Sequence, residues 1–206
     1  MKLTYAITVC NEFVEIQRLV SFLLQHKRLQ DNIVVLYDEA NGDPAVEEYL
    51  RAHSLNGEFA WFGAKFDNHF ANWKNKLSSL CSGDYIFQID ADEMINEYQC
   101  KLIPEVIESN NVDVIRVPRI NTVKGLTEDH VAKWGWQVNE RGWINFPDYQ
   151  WRIYRNSDKI FWEGKVHEQL NGYTSIAHLP ADTDWALTHH KIIQKQEKQN
   201  NYYNTL

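Results

Sequence analysis

Three carboxylates, Asp90, Asp92 and Glu93, follow directly on the mostly apolar run Tyr85-Ile86-Phe87-Gln88-Ile89. A buried strand that ends in that much negative charge has two simple explanations. Asp92 caps a short helix through its side-chain oxygen, or the acids hold a cation. Oxygen ligands of this kind suit Mg²⁺ or Mn²⁺, which keep several waters and bridge phosphate oxygens. Successive side chains of a strand point to opposite sides, so a turn starting at Ala91 is needed to bring Asp90 and Asp92 toward one ligand.

Other groups able to do chemistry stand at comparable places. Asn11 and Glu12 follow the β-rich segment 3–10, and Asp38 follows the apolar segment 33–37. Each is equally well read as a turn former or loop cap. Further on, the segment FWEGKVHEQL carries Glu163, His167 and Glu168, and an aspartate-rich loop leads into the doublet His189-His190. Glu163 and Glu168 differ by five positions, so in a strand they face opposite ways. Neutral imidazole ligates Mn²⁺, although a lone His is more often structural.

The elements that would position these groups alternate along the first two thirds of the chain. Residues 14–27 place Ile16, Leu19, Val20, Leu23 and Leu24 at helical spacing. Asp43 before Pro44 marks a helix start, with the helix running to about residue 53 and a strand over 58–62 after it. Phe70, Trp73, Leu77, Leu80 and Cys81 form one stripe of a helix over 69–82. A helix over 99–109 and a strand over 112–120 follow. This alternation predicts an α/β protein with a largely parallel sheet covered on both faces, and in such sheets ligands bind beyond the carboxyl ends of the strands. Residues 121–148 lack a clean period and read as a long functional loop. Strands return at 150–156 and 159–163, and a polar helix starts near residue 191.

Bulk composition narrows the function classes. The net charge of −7 argues against nucleic acid as a partner. Cys10, Cys81 and Cys100 are odd in number and without a CxxC pair, which speaks against a disulfide or zinc framework and for a reducing compartment. The start is too short and alternating for a signal peptide, and no apolar run is long enough to span a bilayer. The expectation is a soluble, cytoplasmic protein, compatible with peripheral contact at the inner face of a membrane. The end at Leu206 leaves room for a downstream domain.

The segments AITVCNE, VVLYDEANGD, FANWKNKLSSLCSGDYIFQIDADE and FWEGKVHEQL, in that order, resemble the GT-A glycosyltransferases of family 2, in the branch of lipopolysaccharide-core and related bacterial sugar transferases. The resemblance implies one GT-A domain over 1–206, a Rossmann-like, mixed and mostly parallel sheet flanked by helices. Residues 1–120 would bind the nucleotide sugar, and 121–206 would supply the acceptor side and a C-terminal helix. It implies that Val9, Asn11, Glu12 and Asp38 hold the nucleoside and that Lys74 approaches the diphosphate. Asp90 and Asp92 match the family's Asp-x-Asp motif, which holds Mn²⁺ or Mg²⁺ against the donor phosphates, with Asp92 the more direct ligand. The turn after Asp38, EANGD, lacks the family's usual Ser or Thr, so the ribose contacts are less defined.

Transfer of the sugar from a nucleoside diphosphate (a UDP-sugar as first expectation) to an acceptor hydroxyl calls for a Lewis acid and a general base. Inversion puts that base on the face opposite the leaving group. The family's His-Glu pair favours Glu168 over Glu163 as the base. His190, followed by His167, is the expected late metal ligand. For a glycan or glycolipid acceptor, of lipopolysaccharide type or protein-linked, Trp134, Trp136, Trp143 and Trp151 are candidate stacking surfaces, and Arg141, Arg152 and Arg155 would meet an anionic one. A subdomain packed on its own Trp residues is the plainer reading of that cluster. Two other classes compete: a phosphohydrolase using the Asp-x-Asp as nucleophile and acid, and a non-catalytic sugar- or nucleotide-binding module. Nucleotidyltransferases usually carry a Gly-rich loop after the first strand, and CNEFVEI has no glycine.

Overall fold

A computed structural model describes residues 1–203. The chain forms a central seven-stranded sheet. From one edge it runs β11 (Ile176–His178), β6 (Val114–Val117), β8 (Gln150–Arg155), β4 (Tyr85–Asp90), β1 (Leu3–Val9), β2 (Asn32–Asp38) and β3 (Ala60–Ala64). All neighbours pair in parallel except β8, which runs antiparallel to both β4 and β6. The sheet is therefore mixed and mostly parallel, as its alternating pattern predicts.

Helices α1 (Phe13–His26), α2 (Pro44–Ser54), α3 (Phe70–Ser79) and α4 (Glu97–Asn110) provide the crossovers. Apolar residues on each bury a stripe against the sheet: Ile16, Leu19, Val20 and Leu23 on α1, and Ala71, Trp73 and Leu77 on α3. The two cores lie on opposite faces of the sheet, one under α1, α2 and α4, the other under α3 and the β9–β10 hairpin (Phe161–Glu163 and Gln169–Asn171). Local signals fix the helix starts. Asp43 caps α2 through the Ala45 N–H at 2.9 Å with Pro44 first in the helix, and Asn96 with Gln99 closes a capping box on α4.

A second, three-stranded sheet stands at the carboxyl end of the first. It consists of β5 (Glu93–Met94), β12 (Leu187–Ile192) and β7 (Arg119–Lys124), with β12 in the middle. Its register sets His189 opposite Glu93 on one side and opposite Asn121 on the other. The segment expected as a loop, 121–148, thus starts inside a strand and contains helix α5 (Glu128–Trp134). That helix buries none of its residues, which is why it leaves no apolar period to read. The last helix, α6 (Ile193–Tyr203), lies along the mouth of the cleft on polar contacts. Lys195 pairs with Glu15 of α1 at 3.0 Å, Glu197 with His130 of α5 at 3.4 Å, and the Tyr202 hydroxyl donates to Asn68 at 2.7 Å. Among the described residues no helix is long and apolar enough to cross a membrane.

Asp113 joins three strands at the opposite end of the sheet. It accepts from Thr174 Oγ1 at 2.7 Å, from the Thr174 N–H at 2.8 Å and from Arg155 Nε at 3.1 Å. The Thr174 bonds, with help from Arg155, lower its pKa from the ordinary 3.8 to about 2. A carboxyl depressed in the folded state contributes stability above its unfolded pKa and loses it as pH falls through the folded value. Asp113→Asn is therefore expected to lower the urea midpoint at pH 7 and to differ less from the parent near pH 3. An equal difference at both pH values would show that the charge contributes nothing.

Candidate active site

The carboxyl ends of β1, β2 and β4 open into a cleft of about 870 Å³, within the range that holds a ligand of drug to nucleotide size. Asp90 ends β4 between β1 and β8. Its Oδ1 accepts from Thr8 Oγ1 at 3.1 Å and Gln88 Nε2 at 2.8 Å, and its Oδ2 accepts from Arg152 Nη2 at 2.7 Å. Burial opposes its ionisation, but the charges of Arg152, Lys74 and Arg119 overcome that and hold the carboxyl well below the usual carboxylate range.

Behind it lies a buried ion network. Arg152 Nη2 also donates to Glu93 Oε1 at 2.6 Å, and Arg119 Nη1 meets the same oxygen at 2.9 Å. Arg119 then donates through Nε and Nη2 to Asp148 Oδ2, at 3.0 and 2.8 Å. The remaining Glu93 oxygen accepts the Asp90 N–H at 3.1 Å, so Glu93 also shapes the turn between the two aspartates.

Asp92 has different company. Its Oδ2 lies 3.2 Å from His189 Nε2 and 3.7 Å from Lys191 Nζ. Burial raises its pKa, the contact with His189 and the charge of Lys191 lower it, and the balance is about 2. Lys191 is pushed down by burial, only partly offset by Asp92, and it donates to Gln199 of α6 at 2.6 Å. Asp92 does not cap α4, whose cap is Asn96.

On the nucleoside side, Val9, Asn11, Glu12 and Asp38 all line the cleft. The Glu12 carboxylate folds back onto the N–H groups of Cys10 and Asn11 at 2.9 and 3.0 Å, and burial raises its pKa. Asp38 accepts from the N–H groups of Ala40 and Phe66 and from Asn41 Nδ2, which ties the two loops flanking the entrance. On the far wall Lys74 Nζ lies 2.5 Å from Glu168 Oε1 and 4.4 Å from the centre of the Trp162 ring. The Glu168 loop bends through left-handed residues at Gly164 and His167. At Gly164 a Cβ would come within 3.3 Å of Glu168 Cα, so glycine is needed for that bend.

The structure brings together most of the residues singled out from sequence, but six sit elsewhere or are engaged otherwise. His190 faces away from Asp92 and contacts Thr122 Oγ1 at 2.5 Å, whereas His189 faces in. Strand alternation decides this, since His189 shares a face with buried Leu187, and that phase was readable. Glu163 points outward beside Trp162 and accepts from Asn171 at 2.6 Å. Arg152, expected at the acceptor, is 2% exposed and engaged with Asp90 and Glu93. Trp134 and Trp143 lie outside the cleft, the first against His130 and Trp136, the second against Phe146 and Arg141, while Trp136, Trp151, Trp162 and His167 line it. Arg155 is paired with Asp113. Arg119, Asn121, Asp148 and Lys191 had no local signal, since their partners in the site lie far along the chain, whereas Glu93 stood out as the third carboxylate after β4.

The model of glycosyl transferase family 2 matches residues 4–175, and the chain belongs to that family. Among solved structures, S. aureus TarS 1–349 is similar in fold, with a TM-score of 0.62 at 14% identity, over 92% of this chain and 60% of that one. The same protein in complex with UDP-GlcNAc matches with a TM-score of 0.62 and 14% identity, over 93% of this chain and 59% of that one. The chain spans about 60% of that TarS fragment and 38% of the longer TarS chain. No curated protein matches. The GT-A architecture expected from the strand-end motifs is thus the architecture found.

Removing the guanidinium of Arg152 would take from Asp90 its ion pair and leave the fully buried Glu93 carboxylate with Arg119 alone. Arg152→Met is expected to cost about 3–5 kcal/mol in urea unfolding, the usual loss when one partner of a buried pair is deleted. A loss below about 1 kcal/mol would mean that Asp90 and Glu93 are not held by this contact.

Proposed function

We propose that the cleft binds a nucleoside diphosphate sugar and transfers the sugar to an acceptor hydroxyl, with inversion, using a divalent cation held by Asp92 and His189. The observation that carries this reading is the division of labour between the two aspartates. Asp90 has both oxygens engaged by Thr8, Gln88 and Arg152, whereas Asp92 presents an oxygen to His189 across the cleft floor.

The donor set suits Mg²⁺ or Mn²⁺. Among the described residues no three His, Cys, Asp or Glu side chains converge on one point, so the protein offers a pair of ligands rather than a cage. That is the usual arrangement where substrate phosphates and water complete the shell. When bound, the cation would act as a Lewis acid on the departing diphosphate.

The chain's own groups account for the other requirements. Asp38, Asn11 and Glu12 shape the nucleoside end of the cleft. Lys191, its side chain mostly withdrawn from water beside Asp92, supplies positive charge where the diphosphate would lie. Glu168 is the proposed base. It would take the proton of the acceptor hydroxyl as that oxygen attacks the anomeric carbon and the bond to the diphosphate oxygen breaks, leaving its electron pair on the nucleoside diphosphate. Lys74 and the Gly164 bend orient Glu168 toward the cleft. Trp136 and Trp151 offer flat apolar faces for the acceptor sugar. The UDP and UDP-GlcNAc complexes of the S. aureus protein make uridine donors the first to test.

A thermal-shift panel of UDP-, GDP-, ADP- and CMP-sugars, with and without Mn²⁺, tests the donor claim. One nucleotide is expected to raise Tm in a metal-dependent way, through binding to the folded state alone. No metal-dependent shift with any of them would remove the proposal. Once a donor is known, Glu168→Gln should lower kcat by about 10²–10⁴ while donor binding stays unchanged. Full activity in that variant would assign the base elsewhere.

A further inference from the structure

His189 makes one contact through each ring nitrogen, and the two contacts are not equivalent. Nε2 lies 3.2 Å from Asp92 Oδ2, while Nδ1 lies 2.8 Å from Asn121 Oδ1. Asn121 cannot present its amide the other way round without loss. Its Nδ2 donates to Asp148 Oδ2 at 2.7 Å, and a carboxylate oxygen only accepts. Asp148 is in turn fixed: Arg119 donates twice to the same oxygen, at 3.0 and 2.8 Å, and Gln150 Nε2 donates to the other at 2.8 Å. Burial raises the Asp148 pKa, but Arg119 and Asn121 more than offset this, so the group stands as an anion.

Proton placement then follows link by link. An anionic Asp148 requires the NH₂ of Asn121, so Asn121 turns its carbonyl oxygen to His189. That oxygen requires a hydrogen on Nδ1. The neutral ring is therefore left with its lone pair on Nε2, facing the carboxylate of Asp92. Two acceptors at that separation repel unless a proton or a cation lies between them. The backbone makes this arrangement durable, because Asn121 and His189 are registered partners on the adjacent strands β7 and β12, and Glu93 is registered to His189 from the other side.

We propose that Asn121, oriented by Asp148, is a positioning residue that fixes the Nδ1–H tautomer of His189 and so directs its Nε2 lone pair at the cation site beside Asp92. The inference rests on the divalent-cation reading above, but the tautomer itself exists without metal. A ligating His generally donates its other N–H to an outer partner that sets ring orientation, and losing such a partner weakens metal affinity by about 10–100-fold. Here that partner is an amide whose direction is itself dictated by a carboxylate, so removing that carboxylate should release the relay.

The test uses the full chain labelled with ¹⁵N at histidine. In the metal-free protein at alkaline pH, the His189 ring nitrogens should report Nδ1 protonated and Nε2 bare. Asp148→Leu, which removes the acceptor that holds the Asn121 NH₂, should let that amide turn over and move population toward the Nε2–H form. Asn121→Leu should remove the preference and weaken Mn²⁺ binding in the presence of the preferred nucleotide by about 10–100-fold. Thermal unfolding of each variant separates these effects from loss of fold. A wild-type ring protonated on Nε2, or an Asn121→Leu protein with unchanged tautomer and unchanged Mn²⁺ affinity, would overturn the proposal. If wild type shows the Nδ1–H tautomer but binds no Mn²⁺, the relay stands and the cation reading is the part that fails.

Discussion

The guanidinium of Arg152 lies between the carboxylates of Asp90 and Glu93, 2.7 and 2.6 Å from their oxygens, at the point where the central strand of the sheet runs out. Arg152 comes from β8, the one strand of the large sheet that runs against its neighbours. A parallel strand in that slot would enter from the other end, so the antiparallel insertion helps set this side chain under Asp90. Two acids and a cation buried together gain little net stability over apolar packing, but each is costly to lose alone. The gain is in geometry. With Asp90 locked and Glu93 holding the turn N–H, Asp92 is left as the acid free to face the cleft.

From that anchor the same charges extend outward. Glu93 passes to Arg119, Arg119 to Asp148, Asp148 to Asn121, Asn121 to His189, and His189 back to Asp92. The chain of contacts begins at one aspartate of the pair and ends at the other. Its members come from β4, β5 and the turn between them, β7, β8, β12 and the loop before β8, so the small sheet is the frame on which the second half of the circuit is hung. Such a circuit pairs its charged groups and, in the proposed tautomer of His189, leaves one oxygen and one lone pair directed at the same space.

The sequence made part of this legible. The run from Tyr85 to Ile89 ending in Asp90 signals a central strand with acids at its ligand-binding end, and Asp43-Pro44 signals a helix start, because these rules are local. Leu187 and His189 alternate in phase, so even the choice between the two histidines was available from strand periodicity. The circuit was not. Arg119 and Glu93 are 26 residues apart, Arg152 and Asp90 are 62 apart, and Asn121 and His189 are 68 apart, and only the folded register brings them together. Helix α5 escaped for the opposite reason, since a helix with no buried face has no apolar period. Arg152 reads from sequence as an arginine for an anionic acceptor, and only the position of β8 within the sheet shows it as an internal brace.

The most direct measurement is an anomalous-diffraction map of crystals grown with Mn²⁺ and the nucleotide that stabilises the protein. The account predicts one Mn²⁺ peak within coordinating distance of Asp92 and His189, with Asp90 still on Arg152. A peak held by Asp90 after it has left Arg152, or nucleotide in the cleft with no metal peak beside Asp92, would contradict it.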